Sequence, residues 1–117
     1  MKKAIFAVLL VVIVLLASCS VANTPTAVTR AYFDALAKND MKALAKVTTS
    51  ETLKNLAQMG DKAHQVVVAY GKLLSISEEI DGDTAIVTVV FENEEGEIDL
   101  RKINGKWKVS EWDGGLW

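Results

Sequence analysis

Cysteine is nearly absent from this chain: its 117 residues include one, Cys19. A single thiol excludes an internal disulfide and leaves no thiolate for a metal site in the body of the chain. Histidine is as scarce. His64 stands alone, too little for a zinc set or for nucleophilic catalysis by a Ser-His-acid group, and it reads as a helix-surface residue. The seven glycines are scattered as turn residues or lie at the C-terminus, so no phosphate-cradling loop is present. The acidic stretch 92–99 lacks the spacing of a calcium loop. Positive charge is also short. Leaving out Lys2 and Lys3, 11 basic residues face 15 acidic ones, a net charge of −4 that argues against nucleic acid as a partner. The imbalance is local: residues 26–72 hold 7 basic and 4 acidic residues, residues 73–117 hold 4 and 11.

What the chain does have comes first at its start. Residues 4–17 (AIFAVLLVVIVLLA) are apolar without a break and follow two lysines. As a helix they rise about 21 Å, against about 30 Å of bilayer hydrocarbon. That length predicts a secretion signal rather than a spanning helix. The end of that run and the two residues after it, Leu16-Ala17-Ser18-Cys19, resemble the lipobox of bacterial lipoproteins. The resemblance implies cleavage after Ser18, a diacylglyceryl group on the Cys19 thiol and acylation of the new amine. Three acyl chains anchor firmly where one holds only marginally. It further implies an exported protein on the cell envelope. With Ser20 rather than Asp after the cysteine, it favours the outer membrane in a Gram-negative host. The expected division is residues 1–18 as signal, 19–25 as lipidated cysteine and tether, and 26–117 as a single domain. Removing 18 residues from 117 leaves 99, enough for one modest core.

Thr24-Pro25 reads as a helix cap followed by proline at the first helical position. Val28, Tyr32, Ala35 and Leu36 form an apolar stripe, with Phe33 on its flank. Asn39-Asp40 ends that helix and caps a short second one carrying Met41, Leu44, Ala45 and Val47. Residues 48–50 cap a third, with Leu53, Leu56 and Ala57 facing inward, and Gly60-Asp61 interrupts it. Residues 63–70 suit either helix or strand, given Val66-Val67-Val68; helix is the reading taken.

From Lys72 the apolar period is two. Asp81-Gly82, Glu95-Gly96 and Asn104-Gly105 are two-residue turns between four strands. They pair Leu74 with Val89, Ile76 with Val87, Phe91 with Leu100, Asn93 with Ile98, Leu100 with Val109 and Lys102 with Trp107. One face then gathers Leu74, Ile76, Val87, Val89, Phe91, Ile98, Leu100, Trp107 and Val109. The other carries mostly polar residues, with Leu73, Ile86 and Val90 as exceptions and Trp112 folding over them. The expected fold class is α+β: N-terminal helices packed on a curved four-stranded antiparallel sheet. The tail Trp112-Asp113-Gly114-Gly115-Leu116-Trp117 reads as a last strand closing over the sheet, or as a partner- or membrane-touching end.

Residues 26–40 (TAVTRAYFDALAKND), 82–87 (GDTAIV) and 104–109 (NGKWKV) resemble small lipoprotein domains of unknown function related to lumazine-binding-type proteins. These belong to the nuclear-transport-factor-2-like superfamily, which includes ketosteroid isomerases. The resemblance implies a cone with a pocket at its wide end, lined by Tyr32, Phe91 and Trp107 unless these fill the core. Glu78 and Glu111 are the carboxylates on the covered face. Glu111, two residues beyond Val109 on the same side and opposite Ile98, is the better placed and joins the expected pocket lining. Trp107 sits opposite Lys102. The expected function is a non-catalytic envelope module that binds a small hydrophobic molecule or a protein partner, without cofactor or metal. Two alternatives stay open. A small isomerase or lyase needs a buried carboxylate hydrogen-bonded to a tyrosine. An assembly subunit, a homodimer through the outer sheet face, needs an apolar patch around Leu73, Ile86, Val90 and Trp112.

Overall fold

The computed structural model describes residues 21–113. The signal segment, Cys19 and the tail beyond Asp113 lie outside the described residues. The order is α1 (Pro25–Ala37), α2 (Met41–Val47), α3 (Ser50–Met59), α4 (Lys62–Tyr70), then β1 (Leu73–Asp81), β2 (Thr84–Phe91), β3 (Glu95–Ile103) and β4 (Lys106–Asp113). The strands form an antiparallel meander in the order β1-β2-β3-β4. The fold is α+β, with the described helices on one face of the sheet.

Local chemistry sets the helix boundaries. The Thr24 side chain accepts from Ala27 N at 3.1 Å, ahead of Pro25 at the first helical position. At the other end Asn39 takes φ +54°, Asn39 N donates to Leu36 O and Asp40 N to Ala35 O, a Schellman closure. Asp40 then caps α2 by accepting from Ala43 N, and Thr49 caps α3 by accepting from Thr52 N. His64 is only partly exposed: its Nδ1–H donates to Leu36 O at 2.9 Å, tying α4 to the last turn of α1. Residues 62–70 are helical, despite the valine run. Leu44, Val47 and Leu56 face inward, whereas Met41, Ala45 and Ala57 are exposed and Met59 turns in place of Ala57.

The sheet keeps the expected faces but not every turn. Asn104 (φ +52°) and Gly105 (φ +80°) make the third reversal as expected, pairing Leu100 with Val109 and Lys102 with Trp107. The first reversal is Gly82-Asp83, one residue late. Gly82 takes the left-handed position first, so Ile76 pairs with Val89 and Glu78 with Val87. The second is not at Glu95-Gly96, which lie inside β3; the chain reverses at residues 92–94, and Ile98 pairs with Val87. Tertiary contacts decide this. Asn93 N and Nδ2 donate to Tyr70 O and Ala69 O, satisfying end carbonyls of α4. Glu92 Oε1 accepts from Lys72 N at 2.7 Å. Gly71 (φ +80°) makes room, since a Cβ there would meet Glu92 Oε1 at 2.9 Å.

Both register errors move pairs by an even number of residues, so each side chain keeps its face. Ile76, Val87, Val89, Phe91, Ile98, Leu100, Trp107 and Val109 all turn to the helices. Two bulges account for the exceptions. Leu74 is the extra residue of β1, so Leu73 packs inward and Leu74 is left 60% exposed. Ser110 is the extra residue of β4, so Trp112 faces inward opposite Ile98 and Glu111 faces outward opposite Asp99. Trp112 therefore does not cover the outer face. Its ring lies edge-on to Phe33 at 5.2 Å, and its Nε1–H donates to the Tyr70 hydroxyl at 3.0 Å. With Leu73 and Trp112 turned inward, the expected outer patch reduces to Ile86 and the half-buried Val90.

Candidate functional site

The β4 bulge is where the fold opens. Ser110 interrupts the ladder, and neighbours satisfy its polar atoms: Ser110 O accepts from Thr52 Oγ1 at 2.9 Å, and Ser110 Oγ donates to Asp99 O at 3.0 Å. Thr49 Oγ1 donates to Thr52 Oγ1, so a hydroxyl relay runs from the cap of α3 to the bulge. Thr49 N donates to Val109 O, and Thr48 bridges Val109 in parallel, so the start of α3 lies along the β4 edge.

Two hollows meet there. A cleft of about 660 Å³ opens toward the outer sheet face, lined by Glu51, Asn55, Thr84, Ile86, Asp99, Arg101 and Glu111 among others. A recess of about 240 Å³ runs inward between Tyr32, Leu56, Met59 and Trp112. They share Thr52, Asn55, Ser110 and Glu111. The mouth is polar and net acidic, three carboxylates against one guanidinium. Asp99 and Glu111 are direct cross-strand neighbours, a like-charge pairing that favours a cation between them. The back is aromatic and thioether. Burial pushes the Tyr32 hydroxyl above the ordinary tyrosine range, with Tyr70 adding to the effect, so it stays a neutral donor.

Of the residues expected to line a pocket, Tyr32 and Glu111 both line this recess. Phe91 and Trp107 go elsewhere: Phe91 edges a hollow beside Phe33, Val67 and Leu73, and Trp107 one beside Asn23, Val28 and Lys46. Tyr32, Phe91 and Trp107 are themselves buried core residues. Lys102 Nζ sits 5.3 Å from the Trp107 ring centroid, as their pairing suggested. Glu78 accepts from Thr26 N and the Thr26 hydroxyl, placing its charge at the N-terminus of α1. Among the described residues the buried polar side chains are Thr29, Thr48 and Thr49, and no carboxylate is buried. A proton-abstracting pair of buried acid and tyrosine is thus absent from these residues. Thr52, Asn55, Met59 and Arg101 escape a sequence reading, because only the bulge and the docking of α3 bring them together. Among the described residues no group of histidines, cysteines or carboxylates is arranged to hold a metal ion, and no helix is long and apolar enough to cross a membrane.

No protein-family model matches the chain, and no curated protein matches it. Among solved structures it is similar to the solution structure of a SEC-C motif containing protein from Rhodopseudomonas palustris. The two are 22% identical, with 85% of this chain and 84% of the other covered and a TM-score of 0.49. So slight a likeness transfers no activity. These findings correct the resemblance to lumazine-binding-type lipoprotein domains of the nuclear-transport-factor-2-like superfamily: no family model matches the chain, and the solved structure found is described as a SEC-C motif containing protein. The three segments that carried the resemblance specify packing and turns. Tyr32 and Phe33 fill the core beneath α1, while Gly82 and Asn104-Gly105 close hairpins. Any helix laid on a tight meander needs the same devices.

Proposed function

We propose that this chain is an exported protein, held to a membrane through Cys19, whose folded body binds a small amphipathic cation at the β4 bulge. The observation that carries the anchoring is the junction between leader and fold. An apolar run too short to span a bilayer ends in Leu16-Ala17-Ser18-Cys19, and the Asn23 side chain, four residues on, is already bonded to Gly105 O and Trp107 N. The binding reading is supported by the polar mouth and aromatic recess that share Ser110 and Glu111. An apolar group enters between Leu56, Met59 and Trp112, and an ammonium or amidinium group sits at Asp99 and Glu111.

Labelled palmitate fed to the host tests the anchor. Wild-type chain incorporates it and Cys19→Ala does not; equal labelling of the two, or none in the wild type, contradicts the reading. Titration with an alkylammonium probe tests the site. Binding that Glu111→Gln weakens about tenfold supports it, a loss comparable to removing one charged hydrogen-bond partner. Indifference to that substitution contradicts it.

A further inference from the structure

The chain enters its fold at a basic corner. Asn23 Nδ2 donates to Gly105 O at 2.8 Å, and Trp107 N donates to Asn23 Oδ1 at 3.0 Å, so the entering segment is fastened to the β3–β4 hairpin. Val21 and Ala22 share a hollow of about 360 Å³ with Lys46, Lys106 and Lys108. Lys108 Nζ donates to Lys46 O, and Lys102 lies over Trp107. No carboxylate lines this hollow. Asp81 and Asp83 lie on the β1–β2 hairpin at the same end of the sheet, beyond β3. Two apolar side chains stand among the lysines, Val21 at 47% exposure and Ile103 at 39%.

Only Ser20 stands between Cys19 and Val21, a reach of at most about 7 Å. Taking Cys19 as the anchored residue proposed here, we infer that Lys46, Lys102, Lys106 and Lys108 rest on anionic lipid headgroups of the membrane that holds the anchor. The tether is no longer than the screening length at physiological salt, about 8 Å, so it holds this corner within range of the surface potential. Val21 and Ile103 add apolar contact at the interface. The far end is set apart: α1 starts beside the corner and carries the chain about 20 Å away over its 13 residues. Lys38, Lys62 and Lys72 lie at that far end, Lys72 beside Glu92. The Ser110 cleft lies along β4 from the contact, open to the surrounding water.

The test uses the mature, lipidated chain reconstituted into vesicles of phosphatidylcholine alone or with a quarter phosphatidylglycerol. Each lysine's rate of acetylation by a water-soluble reagent is read by peptide mass spectrometry. Lys46, Lys102, Lys106 and Lys108 are expected to slow about fivefold in the anionic vesicles and to recover in high salt. Lys38, Lys62 and Lys72 are expected to be unaffected. Equal rates in both vesicles, on protein whose mass confirms acylated Cys19, overturn the headgroup contact while leaving the anchor standing. A Cys19 without acyl chains in the same spectra overturns both. Lys106→Glu, at an exposed hairpin position, provides an independent check: it should abolish the salt-sensitive part of the slowing at Lys102 and Lys108, and full retention overturns the contact.

Discussion

β1 and β4 are both edge strands, each with a single bulge, and they are protected in opposite ways. β4 is covered: Thr48 and Thr49 bond to its Val109, Thr52 bonds to Ser110 O, and α3 runs beside it. β1 keeps Leu74 and Ile80 exposed and relies on Glu78, Glu79 and Asp81 to discourage pairing with another chain. The bulges differ in the same sense. At Leu74 the extra residue turns a large apolar side chain out to solvent; at Ser110 it brings Trp112 into the core and frees Glu111 for the cleft. A bulge on the covered edge thus builds a site, and one on the open edge only relieves a mismatch.

The sharpest way to break this comparison is Trp112→Ala. It removes ring contacts to Phe33 and Tyr70 and the bond to the Tyr70 hydroxyl, a loss of about 3 kcal/mol. Urea unfolding reads it, and a loss below half of that would mean the bulge does not seat the ring. Alkaline titration comes next. The raised Tyr32 hydroxyl keeps its proton in the folded state, while the unfolded chain ionises near pH 10. Its contribution is therefore complete below pH 10 and lost above it, by about 1.4 kcal/mol per pH unit. Tyr32→Phe is expected to flatten that alkaline limb; an unchanged limb assigns it to another group.

Thr49→Ala removes the α3 cap and the first hydroxyl of the relay to Ser110, at a cost of about 1 kcal/mol. Hydrogen exchange should show faster opening at the start of α3 than at β1. Uniform acceleration would mean that the β4 edge is not separately held. Leu74→Thr, at the mirror position on the open edge, should change stability by less than about 0.5 kcal/mol. A cost like that of Trp112→Ala would place Leu74 in the core and remove its bulge.

The same contrast explains what the sequence made legible. Caps at Thr24, at Asp40 and within residues 48–50, and the Asn104-Gly105 turn, depend on residues within four positions of one another, so they could be read directly. Sheet faces survived two misplaced turns because each error was even. The reversal at 92–94 was unreadable, since the carbonyls that select it belong to Ala69 and Tyr70 at the end of α4. Neither bulge leaves a mark in a period-two pattern, and each reverses the facing of what lies beyond it. That is why Leu74, Glu111 and Trp112 lie on the faces opposite to those the period predicts. At the site, Glu111 reaches the cleft from the face opposite to the one expected, because the Ser110 bulge sets it across from Asp99 rather than Ile98. Thr52, Asn55 and Arg101 join it there only through tertiary packing.

The placement of the whole molecule depends on Cys19, and the N-terminal peptide of protein isolated from its host membranes tests it most directly by mass. The expected peptide begins at Cys19 and carries a diacylglyceryl thioether and an N-acyl chain. A peptide that begins at Met1, or a Cys19 with a free thiol, would contradict the account.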